Sequence, residues 1–233
     1  MARTLWRMNM SMQALSQPDA NTAWNSYLEL KDERPELFVS SSELEIIFDW
    51  KLVRNYEREH GVTIGMLYRS RFNTLLVDLV RNKDGSAFAF ERLVQTATGQ
   101  GVVGVPVYQG KFILLRQFRH SMRSFQYAFP RGYGENDQTA VQNVRKELSE
   151  EVGATVGEVT PLGEVVANSG ISGDRVRVFK CEILSYEPKV GYEEIVDIAV
   201  LTGGEILDWL KSGRIDDGFS LSAVAFMKAC GQI

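Results

Sequence analysis

Three carboxylates, Glu147, Glu150 and Glu151, stand at i, i+3 and i+4 in a stretch that reads as a helix from about 139 to 152. That spacing puts all three on one helical face. Like charges so placed repel by roughly a few tenths of a kcal/mol per pair. They also lie in the C-terminal half, where the helix dipole disfavours anions. A divalent cation removes the conflict: Mg²⁺ takes hard oxygen ligands, keeps several waters and leaves positions for phosphate oxygens. Three glutamates alone would equally fit a solvated acidic face, so their surroundings decide. A Gly-rich loop, Gly132-Tyr133-Gly134, leads in, and Thr139 with Gln142 three residues on marks the helix start.

Other metal chemistry finds few donors. Cys181 and Cys230 cannot build a disulfide framework, and His60 and His120 are too few for a histidine-based zinc site. Any ion must be held by oxygen. The 233 residues carry a net charge of −4, which gives no polyanion-binding surface and argues against DNA or RNA as partner. No apolar run approaches the roughly 20 residues that span a bilayer. Residues 1–17 hold Arg3 and Arg7 but no acidic residue before Asp19. They read as a frayed start, with a targeting segment as the other reading, so a cytoplasmic location is the expectation.

The elements that must position the acids fall into regions. Residues 1–61 read as a mostly helical N-terminal extension. Trp24, Tyr27, Leu28 and Leu30 suggest a short helix ended before Pro35. Ser42-Glu43-Leu44-Glu45 fits a capping box, followed by Leu44, Ile47, Phe48, Leu52 and Tyr56 at helical spacing, with Gly61 as the stop. From 62 to 233 the period changes. Strands are predicted around 75–80, 87–93, 102–107 and 112–115, with Asp84-Gly85 and Gln109-Gly110 as turns. After the acidic helix come strands at about 161–167, 175–184 and 194–201. A capping box at Thr202-Gly203-Gly204-Glu205 opens a helix that stops at Gly213, and a last helix spans about 220–229. Strands mixed with a few helices indicate an α+β fold on a mixed sheet.

Taken together, Gly132, Glu147, Leu148, Glu150, Glu151 and Gly153 resemble the Nudix box in type and spacing. Gln138 and Lys146 depart from it, replacing the Glu and Arg that help hold loop to helix. The likeness runs over roughly 75–230 and is to the ADP-ribose pyrophosphatase-like branch. Leu114-Leu115-Arg116-Gln117-Phe118-Arg119 looks like the strand before the box, and Phe129-Pro130-Arg131-Gly132 like the Pro-Ala-Gly segment, with Ala128 where an acid often stands. Asn168-Ser169-Gly170-Ile171-Ser172-Gly173-Asp174-Arg175, Tyr192-Glu193-Glu194-Ile195 and Gly213-Arg214-Ile215-Asp216-Asp217 resemble the downstream segments.

The resemblance implies an α/β/α sandwich with a mixed sheet over 62–233, binding Mg²⁺ or Mn²⁺ through Glu147, Glu150, Glu151 and the backbone carbonyl of Arg131. It implies Arg119, with Arg131 beside it, as the substrate grip, and a base at Glu193, with Glu194 second. Glu147, Glu151 and Glu193 are thus the expected catalytic set. The implied reaction is metal-dependent hydrolysis of the pyrophosphate bond in ADP-ribose or a related nucleotide sugar, by a homodimer. The competing reading is a Nudix-derived sensor that binds such a ligand without cleaving it, towards which Gln138 and Lys146 lean. The retained box glutamates lean more strongly to the enzyme. His120, with no carboxylate to orient it, reads as structural.

Overall fold

In a computed structural model of the chain, residues 19–96, 99–134 and 138–233 are described. The readings of residues 1–17 and of loop residues 135–137 lie outside them. The chain divides into two compact units, Met1–Thr96 and Ala97–Ile233. The division falls later than the change of period at 61–62, because the strands just after that change pair with one another inside the first unit.

In the first unit, helix α1 (Ala20–Glu33) starts at Asp19, whose carboxylate accepts from the Asn21 and Thr22 amides. It buries Trp24, Tyr27 and Leu30 along one face. A 3₁₀ turn (Pro35–Phe38) follows, then β1 (Leu44–Ile46), α2 (Trp50–His60), β2 (Gly65–Arg69), β3 (Asn73–Asn82) and β4 (Ala87–Gln95). Strand β3 pairs antiparallel with β1, β2 and β4. The capping-box reading at Ser42 is corrected here. Leu44, Glu45 and Ile46 pair with Asn82, Arg81 and Val80, and the helix starts at Asp49, whose side chain accepts from Lys51 and Leu52. A partner strand outweighs a local helix signal. Gly61 does close α2, at φ 66°.

The buried Asp78 ties this unit together. Its carboxylate accepts from the Tyr27 hydroxyl and from Arg92, Nε at 2.5 Å and Nη2 at 3.1 Å. Arg92 Nη1 donates to the Leu37 carbonyl at 2.8 Å. One carboxylate thereby links α1, β3, β4 and the 3₁₀ turn.

The second unit contains β5 (Val102–Tyr108), β6 (Lys111–Arg119), β7 (Ser124–Ala128), β8 (Arg131–Gly132), α3 (Ala140–Glu147), β9 (Ala154–Val166), β10 (Arg175–Tyr186), β11 (Ile195–Leu201), α4 (Gly203–Lys211) and α5 (Gly218–Ala229). The sheet runs β11-β6-β5-β10-β9, with β7 on β6 and β8 on β5. The β5–β10 pair is parallel and the other pairings are antiparallel. Alternation along the strands splits the core in two. Val102, Ile113 and Leu115 pack with Ala140, Val144 and Leu148 from the α3 region. Val103, Phe112 and Leu114 pack with Ile206, Val224 and Met227 of α4 and α5. The result is the expected α/β/α sandwich. Gly104 lets α3 close on the sheet, since a Cβ there would lie 2.9 Å from Val144. No helix among the described residues is long and apolar enough to cross a membrane.

Asp78→Ala would leave the Arg92 cation and the Tyr27 hydroxyl without their shared acceptor. We expect a loss of about 3–5 kcal/mol in denaturant unfolding of the full chain, against less than about 1 kcal/mol for Asp84→Ala in an exposed turn.

Candidate active site

Glu151 is the most confined acid among the described residues of the second unit, at 3% exposure. Helix α3 begins as expected at Thr139, with Gln142 completing the capping box, but its last turn, Leu148–Val152, widens into a π-helix. Gly153 closes that turn at φ 68°, donating to the Leu148 carbonyl. The widening buries Glu151 together with Leu148 and Val152, and such turns often mark functional positions. Glu151 Oε2 accepts from the Arg131 amide at 3.3 Å. Burial, then the charges of Glu147 and Glu193, push its carboxyl up to about 8, against the pull of Arg119 and the Arg131 amide.

Glu147 is fixed by close approach to β8. A Cβ on Gly132 would lie 2.0 Å from its carboxyl carbon, so only glycine leaves room for it there. Strand β8 is itself fastened. Val102 and Val103 of β5 pair with Gly132 and Arg131, and the Gly104 amide donates to the Pro130 carbonyl at 3.0 Å. The Arg131 guanidinium donates to Asp217 at 2.7 Å and stacks on Phe219, 5.0 Å from the ring centre. Asp217 also caps α5 by accepting from the Ser220 amide and hydroxyl at 2.9 and 2.8 Å. The Ser220 hydroxyl in turn accepts from the Phe129 amide at 2.9 Å. This anchoring by Asp217 and Ser220 was not read from sequence, although an Asp three residues before a Ser at a helix start is a capping signal.

Arg119, at the end of β6, stands in the same electrostatic neighbourhood. Burial, then Arg131, push its guanidinium below the usual arginine range, while Asp217, Glu151 and Glu193 pull it back. Its Nε is buried without a hydrogen-bond partner among the described residues. A buried, unpaired donor on a permanent cation suits an anionic ligand. Glu193 acts on Glu151, on Arg119 and on the Tyr192 hydroxyl.

The structure thus gathers Glu147, Glu151, Glu193 and Arg119, with the Arg131 backbone beside Glu151. The Arg131 side chain meets Asp217 through Nη1. Glu150 acts on the Tyr192 hydroxyl together with Glu193, Glu147 and Glu151. His120 meets Arg123 at 2.8 Å. No three His, Cys, Asp or Glu among the described residues converge closely enough to enclose an ion by themselves. The donor set still suits a hard cation that keeps several waters. A carboxyl buried against two like charges is the environment such a cation relieves.

Residues 98–212 match the family model described as the NUDIX domain. An ADP-ribose pyrophosphatase of Bacillus subtilis (strain 168) is 24% identical over 123 residues, 52% of this chain and 66% of that relative. A solved structure titled "Crystal structure of ADP compounds hydrolase" superposes with a TM-score of 0.63 at 19% identity, covering 72% of this chain and 93% of that one.

Two outcomes follow. Gly132→Ala should displace Glu147 and weaken Mn²⁺ binding ~10- to 100-fold in calorimetry, with the fold retained. Glu151 carries a raised pKa, so without metal its protonated form is the one the fold favours. Its contribution to stability is complete below the unfolded value of 4.5 and is lost as pH rises through about 8. Added Mg²⁺ should therefore raise the melting temperature more at pH 8 than at pH 6, and this difference should vanish in Glu151→Gln.

Proposed function

We propose, from the match of residues 98–212 to the NUDIX domain and the likeness to an ADP-ribose pyrophosphatase, that this chain hydrolyses the pyrophosphate bond of a nucleoside-diphosphate compound, ADP-ribose or a related nucleotide sugar first. The observation that carries the reading is the buried Glu151, flanked by the charges of Glu147 and Glu193 and faced by Arg119. A diphosphate bridge repels an attacking water until its charge is neutralised. Mg²⁺ or Mn²⁺, held by Glu147, Glu150, Glu151 and the Arg131 carbonyl, would supply that neutralisation and polarise phosphorus.

The chain's own groups divide the remaining work. Arg119 grips a phosphate oxygen through the guanidinium whose Nε has no partner among the described residues. The Arg131 side chain, engaged by Asp217, serves by holding β8 so that its backbone stays beside Glu151. Glu193 takes the proton of the water that attacks phosphorus. The new P–O bond forms as the bridging oxygen leaves with the other phosphate, giving a nucleoside monophosphate and a sugar phosphate. A homodimer is the assembly that the resemblance supports. The sensor reading gains no specific support, since a ligand-holding module needs no such crowding of acids.

The test incubates the full chain with ADP-ribose, GDP-mannose, UDP-glucose, diadenosine polyphosphates and nucleoside triphosphates, with Mg²⁺ or Mn²⁺. We expect one diphosphate compound to be cleaved to two monophosphates, with activity reduced by ~10²- to 10⁴-fold in Glu193→Gln and lost in Glu151→Gln. Cleavage that persists in Glu151→Gln, or needs no divalent ion, would overturn the assignment.

A further inference from the structure

Glu193 belongs to a turn whose backbone glutamates do not adopt readily. The Ile195 amide donates to the Tyr192 carbonyl at 2.9 Å, closing a turn over Glu193 and Glu194. Those two residues have φ of 43° and 61°. Two successive left-handed residues make a type I′ turn, where Asn and Gly dominate because a Cβ is disfavoured. Such a backbone persists only when its surroundings over-determine it.

Strand β6 supplies that determination through two adjacent residues. Gln117 Nε2 donates to the Glu193 carbonyl at 2.6 Å, and the Phe118 amide donates to the Glu194 carbonyl at 3.2 Å. Gln117 pairs with Ile195 just after the turn, and the β6–β11 register shifts between Ile195 and Asp197. The side-chain bond therefore reaches past the regular ladder to the residue that carries the candidate base. Arg119 lies two residues further on the same strand, so both side chains leave one face of β6.

The Gln117 amide is a poor choice for stability alone. The side chain is 7% exposed, and its Oε1 has no hydrogen-bond partner among the described residues. An unpaired buried acceptor offsets what the Nε2 bond contributes. A methionine would fill similar space, at the loss of the Nε2 bond to the Glu193 carbonyl alone.

We propose that Gln117 is a positioning residue, its side-chain amide clamping the left-handed turn so that the Glu193 carboxylate is held beside Glu151 and Arg119. The proposal rests on the hydrolytic reading above, with Glu193 as base. One strand then sets the distance between the base and the phosphate grip.

The test compares the full chain with Gln117→Met and with Gln117→Met/Glu194→Gly, using ADP-ribose with Mg²⁺, thermal melting, and amide hydrogen exchange at Ile195. In Gln117→Met we expect kcat to fall ~10- to 100-fold with KM changed by less than about twofold. Ile195 should exchange faster, and the melting temperature should not drop. Glu194→Gly should return most of the lost kcat, because glycine adopts positive φ without a clamp. Unchanged kcat in Gln117→Met would overturn the proposal, whether or not exchange quickens. So would a parallel loss of kcat and melting temperature that glycine does not repair. The exchange readout needs no turnover. A wild-type chain that cleaves no diphosphate would sink the hydrolytic reading, while unchanged exchange at Ile195 would separately sink the clamp.

Discussion

Repulsion among carboxylates is the constraint around which the second unit is arranged. Glu151 is buried, and Glu147 and Glu193 both disfavour its charged form. Nothing in folding alone recommends such crowding, because a buried like-charge set costs stability that an apolar residue would not. The fold tolerates it through two counterweights, the Arg119 cation and the Arg131 amide. Both arrive from strands, whereas Glu147 and Glu151 arrive from the helix packed over them. The sheet and α3 must therefore be in register before the acids can be tolerated together.

That register is secured by small residues and by polar anchors far from the acids in sequence. Gly104 lets α3 approach β5, and Gly132 lets the Glu147 carboxyl lie against β8. Asp217 and Ser220, at the start of α5, hold Phe129 and Arg131 from the other layer of the sandwich. The acid cluster on one face of the sheet thus depends on a helix cap belonging to the opposite face.

The legible parts of this arrangement were those carried by local chemistry. Thr139 with Gln142, Thr202 with Glu205 and the stop at Gly61 appear as read, because caps are satisfied within one turn. The glutamates stood out by their spacing, whereas Gly132 and Arg119 were singled out by the resemblance to the Nudix family. What escaped depends on partners distant along the chain. Ser42 to Glu45 carry a helix signal, yet Leu44 to Ile46 pair with β3. The i, i+3, i+4 spacing of Glu147, Glu150 and Glu151 assumed an ordinary helix, whereas Leu148 to Val152 form a π turn. Gln117 looked like one more polar residue on a strand, since its bond to Glu193 spans 76 positions.

The central claim is that these acids are kept together for a divalent cation. The most direct measurement titrates Mn²⁺ into the purified full chain and into Glu151→Gln, reading free Mn²⁺ by electron paramagnetic resonance. The account predicts saturable binding in the wild-type chain that Glu151→Gln weakens by at least about tenfold. Equal binding by both proteins, or none by either, would contradict it.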